Sequence, residues 1–255
     1  MAERTRLRDL APITVGIASL AAIAVVAELL LLAGVLNRYI LPLPSDVLVA
    51  LVRLVREEDI LSRMGLTAFE VLTSGFLVIL AGVPLGVLLY RFRLMRAALE
   101  DWLGALAAAP IVLAFPLFLV LFGRGPKTII IISFVYGLAP VVLKTQEGLT
   151  ATRRVHVNVG RSLNMTPAQM FWKILFPSAL PTIFTGIRLS WTFCLVTVVA
   201  VEFLVNLGGL GHLINELAER YDMPGAYAAI TFVILLSMGF FIVLERIQSW
   251  LQPER

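Results

Sequence analysis

"VLTSGFLVILAGVPLGVLLY", Val71–Tyr90, is a run without a single charged residue. A helix needs about 20 apolar residues to cross the hydrocarbon of a bilayer, and this run has that length. Leu103–Phe122 and Met223–Leu244 are also uncharged, and Pro12–Leu36 carries only Glu28. A soluble chain can bury one core without such runs. The 255 residues are 59% hydrophobic and 15% charged, where soluble domains carry about 25% charged residues. The chain therefore reads as an all-α, polytopic membrane protein. Six spans are predicted, at 12–36, 68–90, 98–122, 126–143, 178–205 and 224–245. Arg4, Arg6 and Arg8 precede the first. Its apolar stretch outruns the roughly 7–15 residues of a signal-peptide core, so a retained anchor is expected.

The net charge of +4 comes from bases gathered at the ends of apolar runs. That placement suits orientation by the positive-inside rule and gives no reason to invoke nucleic acid. With both termini in the cytoplasm, Arg91, Arg93, Arg96, Lys144, Arg153, Arg154, Arg161 and Lys173 lie inside. Arg38, Arg53, Arg56, Arg63, Arg124, Lys127 and Arg220 then lie outside. Between the first two spans, the outer segment 37–67 contains "PSDVLVALVRLV", Pro44–Val55. Its helical spacing of apolar residues predicts an amphipathic surface helix, with Ser45 as the N-cap. No segment is large enough for a separate soluble domain, so a single transmembrane domain, 1–255, is expected.

Reactive chemistry is scarce. Cys194 is the one cysteine, and His156 and His212 fall on opposite sides of the membrane, so neither a metal site nor a catalytic group is predicted. "GRGPKT", Gly123–Thr128, lacks the glycines of a phosphate-binding loop, with Pro126 before the lysine and Leu121 at the earlier glycine position.

Against this background "NVGRSLNMTPAQMFWKILFPSALP", Asn158–Pro181, stands out as half-polar. Thr166-Pro167-Ala168-Gln169 has the residues of a capping box with proline at the first helical position. Asn164 suits the left-handed residue that ends a preceding helix. The predicted order is a helix near 157–163, a turn at Asn164–Met165 and a second helix to Phe176. Pro177 and Pro181 are expected to break the backbone at the next span. Spacing alone leaves two readings of this loop, 145–177: a packing detail, or a rigid plug for another protein's groove.

The segment resembles the coupling loop of ABC importer permeases. The family pattern is Glu-Ala-Ala, a glycine four residues after the second alanine, and Ile-x-Leu-Pro ten residues after that glycine. The corresponding residues are Asn158, Val159, Gly160, Asn164, Ile174, Phe176 and Pro177, of which Ile174 and Pro177 match outright. "LPLPSDVLVALVRL", "FPLFLVLFGRG", "SALPTIFTGIRLSW" and "GLGHLINELAERYDMPGAYAAI" resemble the nitrate/sulfonate/taurine/bicarbonate branch of that family.

The resemblance implies a type I importer fold and a permease dimer in the inner membrane of a bacterium. It also implies two ATPase copies that bind ATP and Mg, and an extracytoplasmic binding protein that delivers substrate. No cofactor is implied for this chain itself. The docking segment would be Asn158, Val159, Gly160, Arg161, Ser162, Leu163, Asn164, Met165 and Thr166. Asn158 lacks the family carboxylate, and Arg161 is a candidate compensating charge. The branch implies a small anionic substrate, with a pyrimidine precursor or riboflavin as the alternative. A self-contained secondary carrier should show repeated halves, and none is evident.

Ionisable residues inside spans are candidates for function. Arg188 is read as a structural or snorkelling charge, with an anion contact as the alternative. Glu202 is expected at the solvated outer interface or at an outer gate. Glu28 is expected to face a neighbouring helix or a water pocket. Glu70 is expected to be an exposed carboxylate at the start of span two, with a charge that tunes substrate choice at the outer entrance of the pathway as the alternative. Phe115, Tyr136 and Trp191 line the pathway or simply pack. Gly82 and Gly86 predict close helix packing.

Overall fold

The predicted spans are mostly helix, except that the third is broken in two and the first ends at Leu32. The computed structural model describes residues 2–37 and 40–251, and no strand occurs among them. The helices are α1 (Ala2–Leu32), α2 (Pro44–Glu57), α3 (Ile60–Arg91), α4 (Arg93–Ala108), α5 (Phe115–Phe122), α6 (Pro126–Thr150), α7 (Arg154–Ser162), α8 (Pro167–Met170), α9 (Phe176–Val205), α10 (Gly209–Glu219) and α11 (Met223–Leu251). A 3₁₀ turn, Ile111–Ala114, precedes α5, and a π turn, Phe171–Leu175, joins α8 to α9. Among the described residues, five helical stretches are long and apolar enough to cross a membrane, or six with one bent pair counted as a span.

That bent pair corrects the third predicted span. Arg93–Ala108 and Ile111–Phe122 meet at 90°. Ala109 is extended, with φ −72° and ψ 137°, as the ring of the following Pro110 requires. At the start of α9 the correction runs the other way. The chain enters the span as continuous helix, because the π turn lets Phe176 N–H donate to Phe171 O just ahead of Pro177. The wider turn takes Pro177 out of the register in which its ring would strike a carbonyl. The fourth span also outruns its prediction. α6 continues past Lys144, which pairs with Glu147 at 2.7 Å, and ends at Thr150.

The chain forms two compact units, Met1–Leu61 with Leu213–Phe232, and Ser62–His212 with Val233–Arg255. In the first, the described apolar side chains of α1 point mostly outward, among them Leu20, Ile23, Val26 and Leu29. Ser45 is not the cap of α2. Leu43 holds that position and Pro44 begins the helix. Ser45 is tied to Glu28 instead: its N–H donates to one carboxylate oxygen at 3.1 Å and its hydroxyl to the other at 2.7 Å. Glu28 thus supplies from α1 the acceptor that α2 lacks locally. Leu48, Val49, Val52 and Val55 stay uncovered on α2. Arg53 pairs with Asp222, and Arg220 bridges Glu58 and Glu216.

In the second unit α6 and α9 form the closest pair, with α3 against α6. A Cβ on Gly82 would collide with Val141, and one on Gly86 with Thr145 and the Val142 carbonyl. The small-xxx-small pair on α3 is what lets α6 approach. On the other side of α6, Gly148 meets Ala179 and Thr182, while Gly186 of α9 meets Lys144. Overpacking such a contact costs about 1–3 kcal/mol. Gly86→Val is therefore expected to lower the melting midpoint of the purified chain by several degrees, at roughly 2–4 °C per kcal/mol. An unchanged midpoint would mean the α3–α6 seam is looser than described.

Candidate functional site

The segment from α7 to the π turn is a rigid, two-part device. α7 ends in a Schellman motif. Asn164 is left-handed at φ 49°, its N–H donates to Arg161 O at 3.0 Å, and Met165 N–H donates to Gly160 O at 3.1 Å. These two bonds satisfy carbonyls that the helix end would otherwise leave open. The capping box then starts α8: Gln169 N–H donates to Thr166 Oγ1 at 3.3 Å, and Thr166 N–H donates to Gln169 Oε1 at 3.0 Å.

The two faces of α7 do different work. Gly160 is buried, and a Cβ there would stand 2.6 Å from both Ile174 Cδ1 and Met170 Cε. The missing side chain lets α7 lie flat on the π turn. Val155, Val159 and Leu163 are 68%, 51% and 64% exposed, an apolar ridge at i, i+4 and i+8 that this chain leaves bare. Asn158, Arg161, Ser162, Asn164 and Thr166 are exposed around it, and Met165 is half-buried. The π turn runs directly into α9, so α7 lies against an unbroken helical stretch, Pro167–Val205.

Along α9, Thr185 and Arg188 are exposed and Thr192 half-buried, one helical face at i, i+3 and i+7. Arg188 donates to Gln248 Oε1 of α11 at 3.2 Å. Among the described residues it has no ion pair, so its charge is not neutralised by a carboxylate. Gln248, which sequence reading did not single out, is its neutral anchor. Phe115 packs beside Val71, Ile129, Val198 and Val201. Tyr136 stacks on Phe193 with centroids 4.6 Å apart, and Trp191 meets Phe240 edge-on at 5.6 Å. These aromatics fill space between helices.

At the far end of α9 the two glutamates overturn their expected settings. Glu202 is fully buried rather than solvated. Its carboxylate accepts from Thr67 Oγ1 at 2.8 and 3.0 Å and from Gly211 N–H at 2.9 Å, while Thr67 Oγ1 accepts from Leu210 N–H at 2.9 Å. Of the first N–H groups of α10, Leu210's is thus met by a hydroxyl from α3 and Gly211's by a carboxyl oxygen from α9, acceptors that a helix N-terminus otherwise lacks.

Glu70 is 1% exposed and lies against Glu202, with no hydrogen-bond donor at either carboxyl oxygen. It is not a helix-end carboxylate, because α3 begins at Ile60, just after left-handed Asp59 at φ 48°. Glu70 therefore stands well inside the helix, on the face shared with Thr67, Val71 and Ser74. The sequence signal for this cluster was present in "GGLGHLIN", Gly208–Asn215, with Gly209 and Gly211. Small residues opening a helix invite a close acceptor.

Comparison with known proteins follows the same lines. Residues 79–255 match the family described as "Binding-protein-dependent transport system inner membrane component". A probable ABC transporter permease of Brucella melitensis is 26% identical over 215 residues, covering 83% of this chain and 87% of the relative. The taurine transport system permease protein of Escherichia coli (strain K12) is 23% identical over 246 residues, covering 94% of this chain and 90% of the relative. In fold, the chain is similar to an inward-facing structure of the MetNI methionine ABC transporter. The TM-score is 0.66 at 19% identity, covering 75% of this chain and 95% of that one.

Proposed function

Since this chain belongs to the family of binding-protein-dependent transport system inner membrane components, we propose that it passes a small anion of the sulfonate, taurine or nitrate class along the Thr185–Arg188–Thr192 face of α9. It is the permease subunit of an ABC importer, and it lies in a membrane. The α7 end faces the cytoplasm with both termini. There the Val155–Val159–Leu163 ridge seats in a groove of an ATPase subunit. Two such chains form the pathway, each carrying one ATPase, and a binding protein delivers substrate from outside. ATP and Mg are held by the ATPases.

The observation that carries this reading is the exposed ridge on a helix clamped to α9 through Gly160, with Arg188 on that same α9. A guanidinium facing hydrocarbon is expensive, so the face bearing Arg188 belongs against water or a partner protomer. Along a pathway it attracts a carboxylate, sulfonate or nitrate. Taurine as the solute of the Escherichia coli relative supports this class.

The test is uptake and ATP hydrolysis in lipid nanodiscs and proteoliposomes, with the ATPase and the binding protein. The ligand panel holds taurine, nitrate, a pyrimidine precursor and riboflavin. Anions are expected to stimulate, and Arg188→Gln is expected to lower anion uptake about tenfold, the equivalent of roughly 1.4 kcal/mol. Stimulation by the heterocycles alone, with Arg188→Gln silent, would replace the anion by a vitamin-like substrate.

A further inference from the structure

A cleft of about 530 Å³ opens between the last turns of α3 and the start of α8 with its π turn. Its volume lies within the range of small-molecule sites. Val87, Leu88, Met170 and Phe171 give it apolar walls, while Tyr90 and Arg91 are the polar groups at its α3 end. No acidic residue lines it. Arg91 is exposed and, among the described residues, unpaired. Exposed Arg93 follows one residue after the break at Phe92. Arg96 completes the cluster, with a long 3.9 Å contact to Glu100. Next to Phe171 of the opposite wall, Trp172 lies outside the cleft lining; it is 65% exposed and meets Phe171 edge-on at 5.0 Å and Phe176 at a tilt at 5.4 Å. An exposed tryptophan beside a row of arginines is the composition of a membrane–water interface.

We propose that this cleft binds one anionic phospholipid of the cytoplasmic leaflet, an acyl chain lying between Val87 and Phe171 and the phosphate resting on Arg91. The placement in the cytoplasmic leaflet rests on the orientation given above. Charge decides the occupant. An apolar slot fits any acyl chain, but an unpaired guanidinium at its mouth, with two more following within five residues of the chain, selects a negative headgroup. A neutral lipid would leave Arg91 without a partner. The site has a mechanical consequence, because Met170 lines the cleft and also carries the buried face of α7 at Gly160. A bound chain therefore braces the seat of the docking helix.

Native mass spectrometry of the full-length chain in mild detergent, titrated with phosphatidylglycerol or phosphatidylcholine, tests this directly. The expected result is one retained phosphatidylglycerol per chain, bound at least fivefold more tightly than phosphatidylcholine. Arg91→Gln should abolish that preference and Arg91→Lys should keep most of it. Val87→Trp, which fills the slot, should weaken both lipids although Arg91 is intact. Leu94→Ser, at an 85% exposed site away from the cleft, is the control and should change nothing. Equal retention of the two lipids, or a phosphatidylglycerol preference that survives both Arg91→Gln and Val87→Trp, overturns the proposal. Circular dichroism of each variant separates loss of lipid from loss of fold. The readout uses neither ATPase nor substrate. Failure here leaves the transport reading standing, and a chain that holds lipid but couples to no ATPase overturns only the latter.

Discussion

In nanodiscs containing the ATPase and the binding protein, a chain carrying Arg161→Glu and Asn164→Pro is expected to hydrolyse ATP at a basal rate that loaded binding protein no longer raises. Proline fixes φ near −65°, whereas Asn164 sits at φ 49°. It also removes the N–H that closes the Schellman motif on Arg161 O. The strained backbone costs roughly 1–3 kcal/mol locally. That is enough to unseat α7 without unfolding spans that it does not support. Arg161→Glu reverses a charge beside the ridge and opposes the original fit. The conservative Asn164→Gly should keep the turn, because glycine is at home at positive φ, and should retain stimulation. Undiminished stimulation in the double variant would mean that α7 is not the element through which the ATPase is felt.

The second large effect concerns stability. Glu202→Ala leaves Gly211 N–H buried without its acceptor, at about 1–3 kcal/mol for an orphaned group, while the Thr67 hydroxyl falls back on Arg63 O at 3.3 Å. At roughly 2–4 °C per kcal/mol, the melting midpoint should fall by about 2–12 °C. Glu202→Gln keeps one acceptor oxygen and should fall less. Glu70→Gln should leave the midpoint unchanged or higher, since an amide can donate to Glu202 where the carboxyl oxygens of Glu70 find no donor. A Glu202→Ala chain that melts like the parent would mean that this cluster does not hold the start of α10 to α9.

How far these features could be read in advance depended on whether the signal was local. Apolar run length predicted the spans, because crossing a bilayer is a property of one segment at a time. The Asn164 turn and the Thr166–Gln169 box were legible for the same reason, since their donors and acceptors lie within a few residues of one another. Glu202 and Ser45 were misjudged because their partners come from other segments, and Glu70 because α3 begins well before it, at Ile60. Thr67 and Gly211 answer Glu202, and Glu28 answers Ser45. Pro110 and Pro177 show the same limit. Both can break a helix, but only Pro110 does so, because a π turn accommodates Pro177. The close approach at Gly82 and Gly86 was foreseen, although its partner helix, α6, was not.

The most direct test of the central claim, that α7 is the ATPase-docking element, is a photo-crosslink. A benzoylphenylalanine is placed at Val159 on the ridge in one preparation and at Val49, 71% exposed on α2, in another. Membranes containing the complete importer are irradiated, and adducts are detected on the ATPase and on the binding protein. The account predicts an ATPase adduct from position 159 and none from position 49. An ATPase adduct from position 49, with none from 159, would invert the orientation and contradict the claim.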